Sequence, residues 1–239
     1  MSIFYVPTEG AEDWRQLLAD PDKHWRKGFS ARTLAYCWES SNGDWPDSVG
    51  QLLRRQGIPL FASARPLVAL PEHRVPLPGG GRASQTDIWV LATSGDQLIS
   101  IAVEGKVQEP FGDPVATWLE KLETEAERRG TTSGARTRID YLAGLLGLPE
   151  DLNSWGDIRY QLVHRTASAV LEAKRFTAGH ALMLVHAFEA TEESRSDFSR
   201  FVEALGGSGA HDELIQIGER GGVDLWLAWC AGEPEFLSR

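Results

Sequence analysis

Two short stretches joined by Gly95-Asp96 constrain this 239-residue chain more tightly than any other segment. Residues 86–92 and 98–106 are both rich in β-branched and aliphatic side chains, and Gly-Asp is a recognised two-residue hairpin connection. A loop of that length sets the register. Asp87 is expected opposite Glu104, Trp89 opposite Ala102 and Leu91 opposite Ser100. Strand side chains alternate between faces, so Lys106 is expected to project with Glu104.

Like charges placed directly across a ladder destabilise it, and Asp, Glu and Lys are all depleted in strands. A divalent cation held between the two carboxylates would give this arrangement a use. The alternative is a solvent-facing ion-pair cluster, which contributes little. Trp89, Leu91 and Ala102 share that face and need cover, which argues for an enclosed one.

The pattern Thr86-Asp87 followed by Glu104-Gly105-Lys106 resembles the PD-(D/E)xK nuclease superfamily, with threonine in place of the usual proline. The resemblance implies a restriction-endonuclease-like α/β fold: an αβββαβ core with a central mixed sheet. It implies Asp87 and Glu104 as Mg²⁺ ligands, with Mn²⁺ able to substitute, and Lys106 as the catalytic lysine that orients or activates the attacking water. It also implies a helix bringing a glutamine or basic residue over the metal, for which Gln161, His164 and Arg165 are the candidates. A further acid on the helix before the sheet would be Glu39, and Glu109 is another neighbour. A second match, Glu172-Ala173-Lys174, falls in a helical stretch and reads as solvated surface charge. The expected activity is cleavage of nucleic acid, above all DNA, and a homodimer would suit double-strand cleavage. The alternative is a nuclease-like binding module that no longer cuts.

Charge opposes this expectation. The net charge is −10, whereas proteins that grip phosphate backbones usually carry a basic footprint. Arg82, Lys106, Arg136, Arg138, Arg159 and Arg165 could still line a local basic groove. Cys37 and Cys230 lie far apart and suggest neither a disulfide framework nor a metal motif. Residues 1–7 show no leader pattern, and no apolar run reaches membrane-spanning length, so a cytoplasmic protein without membrane contacts is expected.

One domain is expected over residues 1–239: a helical part at about 10–57, the core at about 31–190, and a C-terminal helix and hairpin at about 196–230 added to that core. Leu34, Ala35 and Trp38 mark the apolar stripe of a helix over residues 30–39. Residues 67–70 read as the first strand. The run Gly79-Gly80-Gly81 lacks the spacing of a phosphate-binding loop and reads as a flexible approach. Residues 154–157 resemble a capping box opening a helix to about residue 176, along which Gln161, Arg165, Ser168 and Glu172 form one polar stripe. Residues 180–188 read as a buried central strand, with His186 a satisfied core histidine. Residues 214–217 and 223–229 read as a hairpin.

Overall fold

The computed structural model describes residues 8–239, and residues 1–7 lie outside it. A 3-10 turn at Ala11–Leu17 leads into the helices α1 (Pro21–His24), α2 (Ser30–Ser40), α3 (Asp47–Arg55) and α4 (Pro59–Ala62). Strands β1 (Arg65–Val75), β2 (Ser84–Ser94) and β3 (Gln97–Lys106) follow, then α5 (Val115–Arg128), α6 (Ala135–Leu146) and α7 (Tyr160–Arg175). Strand β4 (His180–Ala187), helix α8 (Glu192–Ala204), and strands β5 (Leu214–Arg220) and β6 (Val223–Ala231) complete the α/β chain.

The strands form one mixed sheet in the order β1-β2-β3-β4-β6-β5. The first three pair antiparallel, β3, β4 and β6 run parallel, and β5 returns antiparallel to β6. The C-terminal hairpin therefore extends this same sheet, because β6 docks on β4. The register at Gly95-Asp96 is the expected one: Trp89 faces Ala102, Leu91 faces Ser100 and Ser94 faces Gln97. Strand β1 is longer than the expected residues 67–70. It carries Pro66 and Pro71 in an edge strand, the part of a sheet that tolerates proline.

Each face of the sheet is covered by its own apolar layer. Ala102, Met183 and Val185 pack with Leu162, Ala169 and Leu142 beneath α6 and α7. Ile101, Val103, Leu182 and Leu184 pack with Leu34, Ala35 and Trp38 of α2 on the opposite face. The parity that puts Ala102 under α7 also turns Glu104 and Lys106 toward α7. His186, across from Gly105 in the β3–β4 ladder, turns toward α2 instead.

The capping box expected at residues 154–157 does not form, and α7 begins at Tyr160. Val115 N–H donates to Ile158 O (2.8 Å) and Ala116 N–H to Gly156 O (2.9 Å), which holds residues 156–158 extended beside the start of α5. Trp155 is buried there and its indole bonds Pro149 O. Tertiary pairing thus overrides the local helix signal.

Candidate functional site

Strands β1, β2 and β3 bring three acids into one row. The β2–β3 register carries Asp87 alongside Glu104, and Pro71 pairs with Ile88 and His73 with Thr86, which leaves Glu72 beside Asp87. All three line a cleft of about 670 Å³ with Lys106, Gln161 and Arg165. Glu72 escaped the sequence reading. Its backbone sits at φ 53, in the left-handed region that costs a non-glycine residue on the order of 1 kcal/mol. Its carboxylate accepts a hydrogen bond from Gln85 Nε2 at 2.6 Å.

Glu104 and Lys106 are both buried, so their charges are felt strongly. Lys106 Nζ donates to Glu104 Oε1 at 2.9 Å and to Gln161 Oε1 at 3.0 Å, and it lies 4.7 Å from the Phe111 ring centroid. The Gln161 amide in turn donates to Glu104 Oε1, and Arg165 Nε donates to Glu104 Oε2 at 2.5 Å. Asp87 Oδ2 accepts the Gly105 N–H at 2.8 Å, while among the described residues its Oδ1 has only the Arg165 guanidinium, at 3.9 Å.

These environments separate the acids electrically. Burial works against ionisation of Glu104, but Lys106 and Arg165 outweigh it and hold its carboxyl below the usual range. Burial also acts on Asp87, where the neighbouring Glu104 and Glu72 charges add to it and push its carboxyl well above the ordinary value. Burial raises Glu72 to about 7. The crowding that raises Asp87 and Glu72 beside Glu104 is an unfavourable contact that a divalent cation between the carboxylates would relieve.

The polar stripe of α7 faces the sheet rather than solvent. Gln161 and Arg165 meet Glu104, and Ser168 Oγ donates to Ser84 Oγ at 2.7 Å. Glu172, read from sequence as solvated charge, is fully buried between His73 and Arg175, each at 3.2 Å. His164 lines the cleft with Nδ1 at 2.8 Å from Ser84 Oγ. Burial first, and the Arg165, Arg138 and Lys106 charges after it, push this imidazole well below its usual value and favour its neutral form.

Other expected residues stand elsewhere or are already engaged. Glu39 lies at the far end of α2 from Ser30 and Ala31, which line the cleft, and it accepts the Trp14 indole N–H at 2.7 Å. Glu109 does line the cleft, with Oε1 buried and unpartnered. The basic groove is largely spent: Arg159 pairs with Asp197 and Glu193, and Arg165 with Glu104. Arg138 donates to the carbonyls of Pro78, Gly80 and Arg82. The glycine run and its flanks therefore turn the Pro78, Gly80 and Arg82 oxygens onto a guanidinium, the opposite of a phosphate cradle.

Among the described residues, Cys37, His186 and Glu233 alone bring three ligand-type atoms within 4.8 Å of one another. Their hydrogen bonds argue against a metal there. The Trp38 indole N–H, which can only donate, points at His186 Nδ1 (3.2 Å), so the imidazole proton sits on Nε2. Nε2 then donates to Ser48 Oγ (3.1 Å), and Ser48 Oγ donates to Glu233 Oε2 (3.0 Å). Cys37 Sγ also donates to Glu233 Oε2, at 3.6 Å. Every group is satisfied as the core-histidine reading expects, and no imidazole lone pair is left for an ion.

Fold and cleft together define an α/β protein with a carboxylate–lysine cleft where the C-terminal end of β3 meets α7. The chain belongs to the family described as Domain of unknown function (DUF6946), whose model matches residues 7–234. No curated protein and no solved structure matches it. No helix among the described residues is long and apolar enough to cross a membrane.

Proposed function

We propose that this protein is a metal-dependent phosphodiesterase acting on nucleic acid, DNA above all, built on a restriction-endonuclease-like core. The observation that carries this reading is the convergence of Asp87, Glu104 and Lys106 in one cleft beneath Gln161 and Arg165 of α7. The antiparallel β1–β2–β3 meander, followed after three helices by the parallel strand β4, supports the finer fold assignment.

The donor set fits Mg²⁺, with Mn²⁺ as a substitute. It offers hard carboxylate oxygens, an Asp87 Oδ1 that accepts no hydrogen bond among the described residues, and a like-charge repulsion from Glu104 and Glu72 on Asp87 that Arg165 and Lys106 offset only in part. Asp87 and Glu104 would hold the ion, with Glu72 beside them. When bound, it would polarise a phosphoryl oxygen and make water a stronger nucleophile.

The remaining steps belong to the side chains. Lys106, anchored by Glu104 and Gln161, presents its ammonium to the scissile phosphate and stabilises the charge that builds as a water oxygen adds to phosphorus. The ester P–O bond breaks, and the leaving oxygen takes a proton from solvent water, giving a phosphomonoester and a hydroxyl. Glu72, raised to about 7, is suited to take the proton of the attacking water.

Cleavage of duplex DNA, single-stranded DNA and RNA in Mn²⁺ or Mg²⁺ tests the reading. Wild type should cut at least one substrate, a chelator should stop it, and Lys106→Met should lower the rate at least about a hundredfold with the fold intact. Cutting that survives Lys106→Met would overturn it. The second reading, a nuclease-like binding module that no longer cuts, is favoured by one observation: both Glu104 oxygens are already engaged by Lys106, Gln161 and Arg165. Absence of cutting on all three substrates would select it.

A further inference from the structure

A second cavity, of about 720 Å³, adjoins the acidic cleft and shares Trp118, Tyr160 and His164 with it. Those three side chains form a ladder. Trp118 stacks on Tyr160 with ring centroids 3.9 Å apart and 16° between planes, and Tyr160 leans on His164 at 4.6 Å. Tyr160 covers one face of the Trp118 indole, and Trp118 itself is only partly buried.

The far wall is the 79–81 loop, clamped by Arg138 and set tightly against the start of α6. A Cβ on Gly134 would lie 1.9 Å from Gly79 O, so only glycine permits that approach. Arg138 engages the Pro78, Gly80 and Arg82 carbonyls of this wall, and the Arg82 side chain that follows it is exposed and forms no ion pair among the described residues.

We propose that this cavity binds a short single-stranded segment of nucleic acid running on from the scissile phosphate, with a base stacked on Trp118 and Arg82 on the backbone. The proposal rests on the nucleic-acid reading of the cleft. An indole can stack only on a base whose own face is free, which a strand supplies and the interior of a duplex does not. A cavity of this volume suits a ligand of one or a few nucleotides, not a helix. Trp118, Tyr160 and His164 line both spaces, so a strand with its phosphate at Lys106 would pass along these rings into the second cavity.

The test is binding in a chelator, where no cutting occurs, so it is independent of the chemistry. A fluorescein-labelled deoxythymidine oligomer of about a dozen nucleotides and its uridine counterpart are titrated against wild type, Trp118→Ala, Trp118→Phe and Arg82→Glu. A labelled duplex serves as comparison. Trp118→Ala should weaken single-strand binding roughly tenfold, Trp118→Phe should retain most of it, and Arg82→Glu, an exposed change that leaves folding alone, should weaken it and flatten its salt dependence.

Single-strand binding unchanged in Trp118→Ala and Arg82→Glu overturns the proposal, as does no binding by wild type. Tighter binding of the duplex than of either single strand overturns it too. Trp118-dependent strand binding by a protein that cuts nothing in Mn²⁺ would keep this inference and remove the catalytic one. Metal-dependent cutting with strand binding indifferent to Trp118 would do the reverse.

Discussion

Glu72 shows how the backbone and the side chain of one residue can serve different ends. Its carboxylate lies beside Asp87, while its φ of 53 is a conformation that glycine adopts freely and other residues resist. In an ordinary strand position glycine is less stable than alanine by about 0.5–1 kcal/mol. At residue 72 the order should invert. Glu72→Gly and Glu72→Ala lose the same carboxylate, so denaturant unfolding of the pair isolates the backbone, and the glycine variant should be the more stable by about 1 kcal/mol. Alanine more stable than glycine would contradict the left-handed backbone. No residue-level signal announced Glu72. Its position depends on the bulge that shifts the β1 register between Pro66 and Val68, and a bulge between distant strands leaves little trace in sequence. Asp87, Glu104 and Lys106 were legible because a two-residue loop fixes their register locally.

Among the elements, the hairpin, the buried strand β4 and the apolar stripe of α2 follow directly from pattern. Each is a local period wedded to burial, as Leu34, Ala35 and Trp38 illustrate by being fully buried. The start of α7 was not legible, since pairing of residues 156–158 with the start of α5 decides it. The orientation of the α7 stripe was also hidden, because a polar stripe looks alike whether it meets water or buried partners on a sheet. Two predictions belong at this scale. Gly134→Ala should separate the 79–81 loop from α6 and lower stability by about 2 kcal/mol or more, read by denaturant unfolding. An unchanged midpoint would mean that the loop is not clamped.

The other concerns the chain Trp38–His186–Ser48–Glu233, which ties β4 to α2, α3 and the C-terminal turn. Burial lowers His186 from 6.5 to about 4. The unfolded chain therefore takes up this proton first as pH falls. Stability contributed by neutral His186 is complete above about pH 6.5 and is lost progressively down to about pH 4, a few kcal/mol at most. His186→Gln should flatten that part of the stability profile while lowering stability at neutral pH. An equally steep profile in the variant would assign the pH dependence to other groups.

For the whole molecule, the sheet and the charge pull in different directions. A net charge of −10 repels nucleic acid at long range, and the arginines Arg138, Arg159 and Arg165 are committed to internal partners. What remains is a local device: one acid row across three strands, one lysine held by its neighbours, and two cavities meeting at an aromatic wall. Under the proposed function, a divalent cation would relieve the crowding that raises Asp87 and Glu72 beside Glu104. The most direct measurement is calorimetric titration of Mn²⁺ into wild type and Asp87→Asn, with unfolding curves to establish that both are folded. One ion bound per wild-type chain, and binding weakened at least about tenfold in Asp87→Asn, is the predicted result. A folded wild type that binds no ion, or an Asp87→Asn variant that binds it equally well, would contradict the account.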